Sequence, residues 1–157
     1  MAKKVYPPSI YDEYFQCVET HLDQCGPKTV VLMQLGDFYE MYDKPHVEQS
    51  ITNRIVHEII DNCSLATSCS RTYKGEPLMM AGVHQVSIDK YVQMIVEAGY
   101  NAVVYVQTNE YNENSKKLKR VLKEIHSPST FITSNTHNEI QTSNFVMCIW
   151  IESNVNK

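Results

Sequence analysis

Glycine is scarce in this chain, and the few glycines present cannot form a phosphate-binding loop. The 157 residues include only Gly26, Gly36, Gly75, Gly82 and Gly99. None of these belongs to a Gly-x-x-x-x-Gly-Lys-Ser/Thr pattern, in which backbone amides surround nucleotide phosphates. We therefore expect no ATP-dependent chemistry and no bound cofactor in this chain, and our first reading is that it is not an enzyme.

Closely spaced cysteine pairs are also missing. The five cysteines are odd in number and widely separated, without a Cys-x-x-Cys pair, and the six histidines are scattered. Structural zinc sites need ligands at short and regular spacings, which this sequence does not offer. The sequence thus predicts reduced thiols in the core and no metal site.

Long apolar runs are absent as well. No run approaches the roughly 20 residues that a membrane-spanning helix needs. The N-terminal Met1-Ala2-Lys3-Lys4 is polar and is not followed by the apolar stretch of a signal peptide. We expect a soluble, intracellular protein with no membrane partner, located in the cytoplasm, an organelle or a viral factory.

The sequence also has no excess of positive charge, since its net charge is −4. This balance argues against a protein whose whole surface grips nucleic acid, but it permits a local contact. A run of basic residues is usually only a solvated face. Basic residues concentrate at Arg71 with Lys74, and at Lys116, Lys117, Lys119, Arg120 and Lys123.

Apolar spacing predicts a helix and a β-hairpin in the first third of the chain. Ser9 can cap a helix that runs to about Gln24, because apolar residues recur every three or four positions, and Gly26-Pro27 ends it. Residues 29–33 are an apolar run typical of a buried central strand. Residues 38–42 are predicted to pair with that strand.

The middle of the chain predicts a second helix and two further strands. Pro45 is expected to begin a helix that reaches about Asn62, because apolar residues repeat every four positions from Val47 to Ile59. A weak strand at 64–70, a hydrophilic turn over 71–77 and a strand at 78–83 follow.

The last part predicts a crossover helix and a further strand. Ser87 begins a helix that Gly99 ends, and residues 101–107 form a buried strand before a polar loop at 108–115. Residues 118–125 fit a helix, with an edge strand as the alternative. The order of elements favours an α/β fold, a mixed β-sheet flanked by helices.

Composition also suggests domain boundaries. Residues 1–132 are expected to form one domain, and residues 133–144 are polar enough to be a linker. Residues 145–151 are strongly apolar with six residues behind them. We interpret residues 145–157 as the first strand of a second, truncated domain.

The stretch Gly36-Asp37-Phe38-Tyr39-Glu40 is the one part that these rules do not explain. Side chains alternate along a strand, so Phe38 and Glu40 should project from one side, about 6.6 Å apart at roughly 3.3 Å per residue. This separation is close to two stacked base steps of about 3.4 Å each. We expect the Gly36-Asp37 turn to aim the pair outward, and the Asp37 side chain to close the turn on backbone amides.

Four blocks in order resemble the N-terminal mismatch-binding domain of MutS DNA mismatch repair proteins. They are the Gly-Asp-Phe-Tyr-Glu-Met-Tyr string from Gly36, Gly-Glu-Pro-Leu-Met-Met-Ala-Gly-Val from Gly75, Val106-Gln107, and Ser-Pro-Ser-Thr from Ser127. The resemblance covers about residues 9–131 and suggests a divergent viral or organellar branch. Residues from 145 onward would correspond to the start of that family's connector domain.

The resemblance implies a role for two residues. Phe38 would stack on a mispaired or unpaired base from the minor groove, and Glu40 would hydrogen-bond that base. The implied partner is double-stranded DNA with mismatches or small loops. The family's ATPase, with its ATP and magnesium, would lie in a distant C-terminal domain that also forms the MutS-type dimer.

Departures from the family pattern weaken the expected phosphate contacts. Typical members carry a Lys-Arg pair before the Gly-Glu-Pro block, whereas this chain has Cys69-Ser70 and then Arg71. We keep Arg71 and Lys74, and likewise Lys116, Lys117, Lys119 and Arg120, as possible contacts to the DNA backbone.

Two other readings of the residues remain open. Two-metal hydrolysis needs grouped carboxylates, and Asp37, Glu40, Glu76 and Asp89 could supply them to a metal-dependent nuclease, although no Asp/Glu-x-Lys element stands at strand spacing. The chain could alternatively be a protein-interaction module without affinity for DNA.

Overall fold

The sheet is the centre of the fold and has six strands. The computed structural model describes residues 9–45, 50–111, 117–131 and 147–151. The strands are β1 (Thr29–Leu35), β2 (Phe38–Tyr42), β3 (Thr67–Tyr73), β4 (Glu76–His84), β5 (Asn101–Tyr111) and β6 (Leu118–His126). They lie in the order β3-β4-β2-β1-β5-β6, with β1 parallel to β5 and the other neighbours antiparallel. The predicted mixed α/β sheet is confirmed.

Within the described residues, three α-helices cover the sheet: α1 (Ile10–Cys25), α2 (Ile51–Cys63) and α3 (Ile88–Glu97). Helix α1 packs on the face that carries Tyr42, because the rings of Tyr14 and Tyr42 meet edge to face at a centroid distance of 4.9 Å. The first five residues of β1 are all buried, so both faces of this strand are covered. Helices α2 and α3 contact each other and the central strands, and they cover the opposite face. No described helix is long and apolar enough to cross a membrane.

The predicted first helix and hairpin are confirmed. Ser9 caps α1 through a reciprocal pair of hydrogen bonds with Asp12, and Gly26 follows the last turn with a φ of +90°. Strands β1 and β2 pair through Leu35 and Phe38, which leaves Gly36-Asp37 as a two-residue turn. The buried central strand and its partner are therefore where the apolar pattern placed them.

Two predictions around the second helix are wrong. Helix α2 begins at Ile51 and not at Pro45, because the Ser50 hydroxyl accepts a hydrogen bond from the Asn53 amide and caps the helix there. The turn is also much shorter than residues 71–77. Strand β3 continues through Tyr73, whose ring packs against Phe15 of α1, and only Lys74-Gly75 form the turn, both with positive φ. Val47 lies outside the described residues.

The helix predicted for residues 118–125 is wrong, and the alternative of an edge strand is confirmed. Strand β6 pairs with β5 from Ala102 opposite His126 to Tyr111 opposite Leu118. Strand β5 reaches Tyr111, so the predicted loop begins later than residue 108. The edge of β5 offers backbone hydrogen-bond partners that would stay unpaired if residues 118–125 formed a short helix. Pairing them stabilises a strand more than the spacing of apolar residues favours a helix.

The domain boundaries stay predictions. The proposed linker at 133–144 lies outside the described residues. Of the apolar segment, residues 147–151 are described; they are exposed and have no regular secondary structure.

A buried histidine gives this fold a pH dependence. His21 of α1 is 3% exposed, its Nε2 lies 2.9 Å from the Tyr105 hydroxyl, and its Nδ1 has no hydrogen-bond partner among the described residues. Burial lowers the pKa of His21, so the unfolded chain binds this proton more readily than the folded chain does.

We expect the free energy of unfolding to fall as the pH drops below about 6.5, by at most about 1.4 kcal/mol per pH unit from this group. Urea denaturation between pH 7 and pH 5 measures the effect, and His21→Gln should flatten the dependence. His57→Gln is the control, because it removes a histidine that is exposed, with Nε2 3.3 Å from an Asp43 oxygen. This variant should keep the pH dependence that His21 causes. Identical pH profiles for the unsubstituted chain and His21→Gln would contradict this assignment.

Candidate nucleic-acid interface

Phe38 stands exposed beside the turn between β1 and β2. Gly36 has a φ of +59° at the first central position of the turn, a conformation that favours glycine. Phe38 is 47% exposed, while the other four residues of β2 are buried. Its ring meets the ring of His84 on β4 edge to face, at a centroid distance of 5.3 Å. The hairpin thus presents a large aromatic side chain to solvent and supports it from one side.

Three glutamines brace this turn from neighbouring elements. Gln85 donates its amide to the Asp37 carbonyl at 2.8 Å and its side-chain amide to the Asp37 carboxylate at 3.3 Å. Gln34 donates to the Gly36 carbonyl at 3.0 Å and accepts from the Gln107 amide at 3.0 Å. Asp37 therefore accepts from Gln85, in place of the backbone amides that we expected its side chain to bind.

Glu40 lies on the same face of β2 as Phe38, but it is buried. Its side chain is only 4% exposed, and the Tyr42 hydroxyl donates a hydrogen bond to its Oε2. Arg71 of β3 places Nη2 3.2 Å from Oε1. The expectation that the turn aims both side chains outward is correct for Phe38 and wrong for Glu40, because these two partners hold the carboxylate against the sheet.

Gly82 of β4 makes room for this carboxylate. It pairs with Glu40 across the strands. A Cβ atom at Gly82 would lie 3.4 Å from the Glu40 Cγ and 3.2 Å from the Tyr39 carbonyl oxygen. The missing side chain therefore leaves space on the sheet for the carboxyl group and for the arginine that reaches it from the next strand.

Tyr42 holds the Glu40 carboxylate from the buried side, through the hydrogen bond to Oε2. Tyr42 was not identified as a site residue from the sequence. Its ring is fully buried and contacts Tyr11 and Tyr14 of α1 edge to face. Burial and the hydrogen bond to Glu40 raise the pKa of Tyr42, so its hydroxyl remains a donor. The alternation of side chains along β2 places Tyr42 on the same face as Phe38 and Glu40. This pattern could have identified Tyr42 from the sequence.

The basic candidates lie at opposite edges of the sheet. Lys74 binds Asp12 at 3.3 Å at the β3–β4 turn. Burial acts to raise the pKa of Asp12, but hydrogen bonds from Tyr73, Ser9 and Lys74 lower it to about 2. On β6, the Arg120 side chain is only 8% exposed and its Nε donates to the Gln34 carbonyl at 2.9 Å.

Lys117 and Lys119, two further members of the basic run, are more exposed than Arg120. Lys119 is half exposed, with Nζ 3.9 Å from a Glu110 oxygen. Lys117 precedes β6, and Lys116 lies outside the described residues. A backbone contact by Lys117 or Lys119 stays a prediction, and one by Arg120 would require it to leave Gln34.

The carboxylates considered for a nuclease are not grouped. Within the described residues, no three His, Cys, Asp or Glu side chains are placed to hold a metal ion. Glu40 is committed to Tyr42 and Arg71, and the Asp37 carboxylate accepts from Gln85. The structure gives the nuclease reading no support.

Comparison with known proteins gives the chain its relatives. The profile of the family described as MutS domain I matches residues 14–135. The chain is similar to the DNA mismatch repair protein MutS of Lactobacillus delbrueckii subsp. bulgaricus, with 25% identity over 150 residues, which are 95% of this chain and 15% of that protein. The MutS of Parabacteroides distasonis is 28% identical over 149 residues, again 95% and 15% of the two chains.

A third relative extends the comparison. The MutS of Methanothrix thermoacetophila is 25% identical over 130 residues, which are 83% of this chain and 14% of that protein. The chain thus spans about 15% of the length of the curated relatives it matches.

Proposed function

The chain belongs to the MutS domain I family, and we propose that it binds mismatched duplex DNA by stacking Phe38 on the mispaired or unpaired base. The observation that carries this proposal is the exposure of Phe38. It is 47% exposed at the end of a braced hairpin whose other β2 residues are buried. A large aromatic residue left in solvent on a rigid support is suited to a partner with a flat, apolar face.

Deformability would supply the discrimination. Inserting an aromatic ring between bases costs a few kcal/mol of unstacking and kinks the duplex, and a mismatch has already lost part of that stability. Stacking of a base on an aromatic side chain is worth roughly 1–3 kcal/mol and tolerates any base. One residue can therefore serve several kinds of mismatch.

Glu40 would read the base beside Phe38. Nearby phosphates disfavour a carboxylate, so we propose that Glu40 binds the base as a carboxylic acid and donates a hydrogen bond. Its position on the same strand face as Phe38 supports this role. In the free protein its two oxygens accept from Tyr42 and Arg71, so it must leave at least one of them to reach the base.

The proposed role is limited to recognition. The glycines of this chain form no phosphate-binding loop. We propose that ATP and magnesium binding and dimer formation belong to the remainder of full-length MutS proteins, and that this chain alone binds mismatched DNA weakly.

Binding at low salt tests the proposal. The 157-residue chain is titrated with a perfect duplex, the same duplex with a G·T mismatch, and one with a single unpaired T. We expect tighter binding to the last two, by about 5- to 150-fold if stacking contributes roughly 1–3 kcal/mol. Equal affinity for all three contradicts mismatch recognition, and no retention of any duplex favours a protein-interaction module. Magnesium-dependent nicking would revive the nuclease reading.

Replacing Glu40 by glutamine separates its charge from its hydrogen bond. We expect Glu40→Gln to keep binding, since an amide can still donate, and to lose about 2- to 10-fold in preference for the mismatch, as the loss of roughly 0.5–1.5 kcal/mol predicts. Glu40→Ala should lose more. A stronger preference in Glu40→Gln, or binding as impaired as in Glu40→Ala, would contradict the role given to Glu40.

A further inference from the structure

The contact between Glu40 and Arg71 joins a hidden group to an accessible one. The Glu40 side chain is 4% exposed and the Arg71 side chain 41%. The Nη2 atom of Arg71 reaches Glu40 across β4, the strand that contains Gly82. The guanidinium thus sits at the surface, over the carboxylate that lies two residues along β2 from Phe38.

The arrangement has opposite consequences for the two members of the pair. While Tyr42 and Arg71 each hold one of its oxygens, the Glu40 carboxyl group stays buried against the sheet and cannot turn to a base. A guanidinium that loses its carboxylate keeps its charge and is free to bind another anion, and its planar fork of donors matches a phosphate as well as a carboxylate. Along a DNA duplex the phosphates supply such anions at every base step.

We propose that Arg71 exchanges Glu40 for a backbone phosphate when the chain binds a mismatch. On a perfect duplex the Glu40–Arg71 pair stays closed, and Arg71 makes no phosphate contact. On a mismatch the pair opens, Glu40 turns to the base and Arg71 binds the DNA backbone. Arg71 is in this account a positioning and specificity-determining residue, and the inference rests on the proposed function.

The exchange has a signature in the salt dependence of binding. Each phosphate that a cationic side chain neutralises makes the slope of log affinity against log salt more negative by about 0.9. The slope should therefore be steeper by about 0.9 for the mismatched duplex than for the perfect duplex. Between 50 and 200 mM salt the mismatched complex should lose about 3.5-fold more affinity through this contact.

Two substitutions should abolish the difference in slope by opposite routes. Arg71→Gln removes the cation, so the slope for the mismatch falls to that for the perfect duplex. Glu40→Gln frees Arg71 from its carboxylate, so the slope for the perfect duplex becomes steeper by about 0.9. Arg71→Lys keeps a charge at this position and should retain the difference.

Arg54→Gln is the matched control. It removes one exposed arginine that pairs with Glu58 on α2, and it should leave the difference in slope unchanged. Thermal unfolding of each variant verifies that it is folded. Glu40→Gln keeps Arg71, so it tests the exchange even if Arg71→Gln does not fold.

The experiment is a salt titration from 50 to 200 mM on the perfect duplex and on the duplex with a single unpaired T. A slope difference of about 0.9 that Arg71→Gln and Glu40→Gln both remove supports the exchange. A clear mismatch preference with equal slopes in the unsubstituted chain overturns the exchange and leaves the proposed function standing. No mismatch preference at any salt concentration overturns both.

Discussion

Replacing Phe38 by alanine is expected to abolish the preference for mismatched DNA. The substitution removes the stacking surface, so affinity for the G·T and unpaired-T duplexes should fall by about 5- to 150-fold, equivalent to roughly 1–3 kcal/mol. Affinity for the perfect duplex should stay the same, because the account gives Phe38 no contact there. Since the ring is 47% exposed, the free energy of unfolding should change by less than about 0.5 kcal/mol.

Tyr111→Ala is the matched control for this experiment. Tyr111 ends β5 and is 66% exposed, so it is a second large aromatic side chain in solvent at a strand end. Its removal should leave the mismatch preference intact. A loss of affinity for all three duplexes in Phe38→Ala, or a comparable loss in Tyr111→Ala, would mean that exposed aromatic surface binds DNA without recognising the mismatch.

Replacing Leu32 by alanine is expected to lower the free energy of unfolding strongly and to leave the preference for mismatched DNA unchanged, the opposite of Phe38→Ala. Leu32 lies in the middle of β1, is fully buried, and pairs with Val104 of the parallel strand β5. Removing a buried leucine side chain leaves a cavity and costs about 2–5 kcal/mol of unfolding free energy. Urea denaturation measures this cost.

The binding assay completes this prediction. At a temperature where Leu32→Ala is still folded, its ratio of affinities for mismatched and perfect duplexes should equal that of the unsubstituted chain. Leu122→Ala on β6 removes a leucine that is 44% exposed and should cost much less stability. A changed ratio in folded Leu32→Ala would mean that the sheet core itself takes part in discrimination.

Local sequence patterns were sufficient to predict those elements whose structure depends on residues within the same segment. Ser9, the apolar face of α1 and the Gly26 stop lie within one segment, and β1 and β2 are joined by a two-residue turn. The exposure of Phe38 was expected only through the resemblance, because an apolar strand residue is most often buried. Alternation correctly placed Phe38 and Glu40 on one face.

The environment of Glu40 could not be predicted from local sequence. Its partner Arg71 is 31 positions away on β3, and the two meet because Gly82 on the intervening strand carries no side chain. The segment containing Arg71 was interpreted as a turn from its polar composition. The structure shows that these polar residues form strand β3, which pairs with β4 and packs against α1 through Tyr73 and Phe15.

The wrong helix at residues 118–125 has the same cause. Leu118, Val121, Leu122 and Ile125 have a spacing compatible with a helix. The segment is a strand because β5 presents an unpaired edge to it, and this edge is formed by residues between 7 and 24 positions earlier in the chain. Periodicity in a short segment cannot decide between these outcomes.

The most direct test of the central claim observes the Phe38 ring itself. The chain contains four phenylalanines, so selective ring labelling gives few NMR resonances, and Phe38→Leu assigns the one that matters. Stacking against a base should shift the Phe38 ring protons upfield when the duplex with a single unpaired T is added. The buried Phe15 ring serves as an internal reference and should not move. The account predicts this shift with the unpaired T and none with the perfect duplex; a Phe38 resonance that stays in place at saturation, or moves equally with both duplexes, would contradict it.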